Sequence, residues 1–457
     1  MRAEEGDLRR WDAHLAVLHA TVARHAARSA DPEAAQQARR LLVDTVGCAI
    51  AGRHAREVRQ LEAAVADCEP GGFALPDGPS MSVHAAAQVL AMAATWDEAC
   101  EGHALAHGRP GVPLVAALLP LALQRDTTLD AFVDAFVLGY EVGARCGAWL
   151  RIRPGMHVDA NWPALGVAAG VARLIGLPAA GIVQAIDIAA CQLATSLYLP
   201  VTQGRTARNT YLGHSASLGL QAAFASAAGI DAPADALAHY ANAHAAAAQQ
   251  ALPDAEITLL LDAYLKPFAA VRHVHYGAVA ARQLRERLAG DTRGIQGIAL
   301  KVYEEAIVYC GNRAPRTPIQ AQFSLSFGIA AMLCFGDIDP SVYAEARFDD
   351  AELQRLEALV VLKPDAELTA RKQRGATLVV EHSSGRLQEA VHTIAGDAAH
   401  PLDCAALVSK FRRYAARSLA GERAALFCNT ALDAQQDIDL RLLWQQLVPL
   451  HTTSTRP

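Results

Sequence analysis

Between Pro32 and about Tyr264 the chain repeats one kind of segment: apolar, rich in alanine and glycine, and spaced as a helix is spaced. In residues 38–52, Leu41, Leu42, Thr45, Val46, Ala49 and Ile50 recur at helical intervals, and Gly52 supplies a stop. Residues 116–123 and 131–143 read the same way, the second opened by the capping signal Thr128-Leu129-Asp130. Residues 161–176, 179–195 and 215–229 carry still smaller side chains, which let buried helices approach closely. Short turns join them, and few stretches alternate with period 2. This pattern predicts an all-α body.

The character changes after Lys266. Residues 297–302 and 359–362 read as strands, and 377–382 with 386–394 as a hairpin turning at Ser383-Ser384-Gly385. Residues 321–334 and 351–358 between them read as helices, so 270–400 is a smaller α+β unit. After Pro401, residues 403–416 and 437–447 return to helix, and the C-terminus is expected to rejoin the body. The one low-complexity stretch is an alanine-rich run at 241–251.

The 457 residues are 52 % hydrophobic, enough for a large core and for two or three domains of about 150 residues. Lys and Arg total 41 against 47 Asp and Glu, a net −6 without a basic block, which argues against nucleic acid. Apolar runs such as 112–123 are broken before they reach the ~18 residues of a membrane span. Residues 1–7 are charged and lack the apolar centre of a secretory signal. Nine dispersed cysteines without a C-x-x-C predict buried thiols in a reducing compartment, neither a disulfide frame nor a zinc or iron–sulfur site. The expectation is a cytoplasmic globular protein.

Four segments concentrate chemistry. Residues 96–111 hold Asp97, Glu98, Glu101, His103, His107 and Arg109 between two apolar helices, where polar groups must face a cleft or be paired. His103 and His107, four apart, read on a helix face as a metal pair, although Ala104 stands where a zincin has its Glu. The plainer reading is a solvated helix end. His157 sits in a loop ahead of a small-residue helix, placed to meet a ligand near that helix N-terminus or simply exposed. Arg205, Arg208, Asn209 and Tyr211 lead into another such helix, and arginine forks suit carboxylates; the alternative is a basic surface loop. Lys266, between Leu265 and Pro267-Phe268, is set for partial burial and a general-base or electrostatic role, with Arg272, His273 and His275 following. Residues 309–327 read as a loop of the smaller unit that closes over the body. No phosphate loop, G-x-G-x-x-G or G-x-S-x-G is present. Clustered cations and bases suit a small polyanionic substrate and proton chemistry beside a carboxylate.

The wording and order of these segments resemble the MmgE/PrpD family, which includes 2-methylcitrate dehydratases, cis-aconitate decarboxylases and iminodisuccinate epimerases. The resemblance runs through Asp44-Thr45-Val46-Gly47-Cys48, Arg109-Pro110-Gly111, Gly139-Tyr140-Glu141, Met156-His157, Arg208-Asn209-Thr210-Tyr211-Leu212-Gly213-His214-Ser215, Leu265-Lys266-Pro267-Phe268 and Gln322-Phe323-Ser324. It implies a mainly α fold: a large all-helical domain from residues 1–268 and 401–457, with an α+β lid from 269–400. It also implies a homodimer and catalysis without metal or organic cofactor. His157 falls on a family active-site histidine and Lys266 on an active-site lysine. Arg208 falls where decarboxylase-like members have lysine, and the family's acidic position falls on Asp97 or Glu98. Arg109 stands where many members have histidine, and Val271 where decarboxylases have another. These departures argue against a decarboxylase and weaken 2-methylcitrate dehydratase itself.

The resulting expectation is a dehydratase-type lyase for a hydroxylated di- or tricarboxylate. His157 and Lys266 would move protons, with His107 standing in for the missing histidine and Asp97 assisting. Arg109, Arg208, Arg272, His103 and His275 would bind the substrate. The rivals are an epimerase of a dicarboxylate such as iminodisuccinate, a non-catalytic carboxylate binder, and a zinc hydrolase built on His103 and His107.

Overall fold

The computed structural model describes residues 8–244 and 251–448. The charged start at 1–7 and most of the alanine-rich run (245–250) lie outside them. The expected body helices form, with capping that the sequence foreshadows. Pro32 opens the helix Pro32–Gly52 with its φ already helical. Thr128 Oγ1 accepts from the Ala131 amide at 3.3 Å to start Leu129–Trp149. Small residues set the spacing: a Cβ at Gly166 of helix Pro163–Leu174 would lie 2.6 Å from the Gly139 carbonyl of Leu129–Trp149. One at Gly219 of Tyr211–Ala227 would lie 2.6 Å from the Ala164 carbonyl. Only glycine permits these approaches.

Two ribbons of two residues per strand interrupt the body, Gly102–His103 against Ala263–Tyr264 and Met156–His157 against Ser196–Leu197, all antiparallel. They are too short to leave an alternating pattern in the sequence.

The lid is a four-stranded sheet in the order Val360–Pro364, Ile295–Val302, Ala376–His382, Gly385–Val391. The first pair is parallel and the others antiparallel. Helix Arg272–Arg287 packs on this sheet and on helix Leu325–Phe335. The helix expected over 321–334 is broken at Phe323, because Ser324 caps a fresh start by accepting from the Phe327 amide at 3.1 Å. The C-terminal helix Cys404–Ala415 returns to pack on Pro32–Gly52. From it the buried Lys410 ammonium reaches Asp44 at 2.6 Å and the carbonyls of Ala99 and Lys266, both at 2.8 Å. One cation thus braces the two loops that carry Glu98 and Lys266.

Among the described residues no helix is long and apolar enough to cross a membrane. All nine cysteines are free, and two of them, Cys68 and Cys191, are exposed, unlike the buried set expected.

Candidate active site

A cavity of about 830 Å³ opens between body and lid, and all four segments contribute to its wall. Its floor is built around Glu98, three residues past the end of helix Val83–Thr95. Glu98 adopts φ +52°, a left-handed conformation unusual for a residue with a side chain. Its Oε2 accepts from Arg109 Nη1 at 3.1 Å and Arg208 Nη2 at 2.7 Å. Its Oε1 accepts from Lys266 Nζ at 2.7 Å, which also donates to the Glu98 carbonyl at 3.0 Å. Burial alone would raise the Glu98 pKa, but Arg109, Lys266 and Arg208 hold the carboxyl well below its usual range. Arg109 also donates to Asp159, whose carboxyl is lowered in the same way, against its burial, by Arg109, His157 and Arg208.

His157, buried on its two-residue strand, stacks on Tyr198 with ring centres 5.7 Å apart and meets Tyr211 edge-on. The Asp159 amide donates to His157 Nδ1 at 3.2 Å, so the neutral ring carries its hydrogen on Nε2. Burial lowers this imidazole to about 4 despite the opposing charge of Asp159. At neutral pH His157 is therefore an uncharged N–H donor.

The remaining sequence candidates separate. His107 lines the cavity mouth with φ +55°; enclosure first, then the charges of Arg151 and Arg374, lower its pKa to about 4. Arg272 lies on the wall, paired with Asp397 and 4.7 Å over the Tyr264 ring, while its buried Nε and Nη1 have no partner. His103 touches the cavity, but Nε2 bonds the Leu259 carbonyl at 2.9 Å and Nδ1 accepts from the Ala106 amide at 3.2 Å. It sits on a strand followed by turns, so the helix-face metal pair with His107 does not form and no His103 lone pair is free for a metal.

Asp97 and His275 lie outside the cavity. Asp97 faces away toward Asp339, and burial, then that like charge, raises its pKa to about 7. The acidic position beside the cations is taken by Glu98. His275 is fully buried, with Nε2 against the Ala270 carbonyl at 2.9 Å and its ring edge-on to Phe268. Two residues away, His273 lines the cavity instead, with Nδ1 2.6 Å from the Tyr303 hydroxyl.

Two wall residues, Tyr198 and Arg374, lie outside the segments singled out in the sequence; Arg151, Asp159 and Tyr264 lie within the segments of His157 and Lys266 but had no role assigned. Around the whole cavity seven Lys and Arg side chains face three carboxylates, an excess of four positive charges, in a chain whose net charge is −6. Low-dielectric walls concentrate such a field and draw in anions.

The family model of the MmgE/PrpD N-terminal domain matches residues 17–254, and that of the MmgE/PrpD C-terminal domain matches residues 268–434. No curated protein matches the chain.

Proposed function

The chain belongs to the MmgE/PrpD family, and on that premise we propose that it is a lyase, a dehydratase that removes water from a small hydroxylated di- or tricarboxylate. The observation that carries this reading is the cation excess gathered in one cavity with four histidines of lowered pKa, His107 and His157 among them. His107 takes the proton from the carbon beside a carboxylate and becomes imidazolium. Charge then grows on that carboxylate, in the field of Arg109, Arg208 and Lys266, and His157 donates Nε2–H to the oxyanion. Lys266 makes two hydrogen bonds, both to Glu98, and its third N–H protonates the departing hydroxyl, which leaves as water. Solvent returns the proton from His107 and restores the ammonium. The protein acts in the cytoplasm as a homodimer, without metal or organic cofactor.

An epimerase, which removes and returns a proton at one carbon, is the second reading. It is favoured by the neutral imidazoles of His107 and His157 and by Arg109 standing at the family's histidine position. One experiment separates the two. A panel of hydroxylated and unhydroxylated di- and tricarboxylates is screened by thermal shift, where a ligand at 100 times its Kd stabilises the fold by about 2.7 kcal/mol. Each ligand found is incubated with enzyme in D₂O and followed by proton NMR. New alkene signals support the dehydratase, and deuterium uptake without alkene supports the epimerase. Tight binding with neither change would leave a carboxylate-binding protein without this chemistry.

A further inference from the structure

Half of the lid's twelve arginines, Arg272 among them, are paired with a carboxylate among the described residues. Arg287, Arg293, Arg355, Arg371 and Arg386 each have one within 3.5 Å. Arg374 has none among the described residues, and no side-chain hydrogen bond either, although it is half-buried and lines the cavity. It lies in the lid segment that leads into strand Ala376–His382, within electrostatic reach of Tyr303, Tyr264, Tyr276 and Glu305. Across the mouth Arg151 of the body is likewise half-buried and free of any carboxylate among the described residues. Glu305 also faces this end, exposed and paired with neither arginine. Arg272 stands on the same wall with two buried donors unused. A guanidinium withdrawn from water without a carboxylate partner is costly. The floor differs, since Glu98 and Asp159 already neutralise two of its three cations.

We propose that Arg374 of the lid and Arg151 of the body form a second anion-binding end of this cavity, which holds a second carboxylate of the same substrate molecule and so discriminates dicarboxylates from monocarboxylates. This rests on the carboxylate reading above and adds the residues that read the second charge. Binding there also ties the lid to the body through the ligand.

The test is calorimetry with succinate and butyrate, which share four carbons and differ by one carboxylate. The wild type should bind succinate more tightly. Arg374→Gln should weaken succinate by about 10- to 100-fold, the worth of a charged hydrogen-bonding partner, and leave butyrate unchanged. Arg374→Lys should recover part of the loss, and Arg151→Gln should weaken succinate selectively but less. These two variants carry the test if Arg374→Gln does not fold. Equal weakening of both ligands, or full retention of the succinate preference, overturns the second end while the carboxylate reading stands. Wild-type protein that binds neither ligand overturns both.

Discussion

At the cavity floor Arg109, Arg208 and Lys266 converge on one carboxylate, Glu98, whereas at the mouth Arg151 and Arg374 have no carboxylate partner among the described residues. The same groups are held in two different states. Cations that share Glu98 are fixed in direction and keep only part of their charge for a ligand. This suits residues that must hold the reacting carboxylate and the departing hydroxyl, where pre-set geometry lowers the barrier. Cations without partners offer their whole charge and tolerate some movement, which suits recognition. The floor is also supported from behind, because Lys410 ties the Ala99 and Lys266 carbonyls together. The mouth is shared between His107 and Arg151 of the body and Arg374 of the lid.

The contrast breaks most plainly at Glu98. Glu98→Ala leaves Arg208 and Lys266 buried without a carboxylate while Arg109 keeps Asp159, and a loss of about 3–5 kcal/mol is expected in urea unfolding. A loss under about 1 kcal/mol would mean that the floor is not built on this carboxylate. Next comes His157→Phe, which removes the N–H donor and leaves the ion pairs intact. Turnover should fall about 100- to 1,000-fold with little change in the unfolding midpoint; a folded variant with unchanged turnover would sink the donor role. Lys410→Met should cost about 2–3 kcal/mol. This is less than at Glu98, since Asp44, whose pKa burial already raises, can take up a proton. Unfolding of the double variant Asp44→Asn/Lys410→Met checks the assignment, because part of the loss should return.

A further effect is read in the pH profile. Glu98 and Asp159 have lowered pKa values, so their stabilisation is complete above the ordinary carboxylate range and is lost as pH falls through their folded values. Asp97 is raised from 3.8 to about 7, so its sign is opposite. The folded state keeps a proton that the unfolded chain has released, and stability declines as pH rises across that window. Asp97→Asn should flatten this decline without touching the acid limb; a steeper slope in denaturation at pH 4 to 7 would contradict it.

The helices were legible because their causes are local. The Thr128 cap, the Pro32 start and the Ser383-Ser384-Gly385 turn act within a few residues of where they stand. The four reactive segments were legible as clusters of unusual residues, and the cavity gathers part of each. What stayed hidden depends on geometry that composition does not encode. Asp97 and Glu98 are neighbours, and the positive φ at Glu98 accompanies a turn that puts one in the cavity and the other outside. His273 and His275 start the same helix about 200° apart around its axis, so one faces the cavity and the other the core. Arg374 reaches the site only because the sheet carries its segment back over the body, and nothing in Arg371-Lys372-Gln373-Arg374 distinguishes it from a solvated turn.

The most direct test of the chemistry is to follow two signals in one sample. A hydroxylated di- or tricarboxylate that the wild type turns over is incubated in D₂O with Lys266→Met protein, and proton NMR reads exchange of the hydrogen beside the carboxylate and formation of alkene. With His107 as base and Lys266 as donor to the departing hydroxyl, the variant exchanges that hydrogen yet forms no alkene. Loss of exchange together with elimination in a folded, ligand-binding variant would contradict this division of labour and make Lys266 the base.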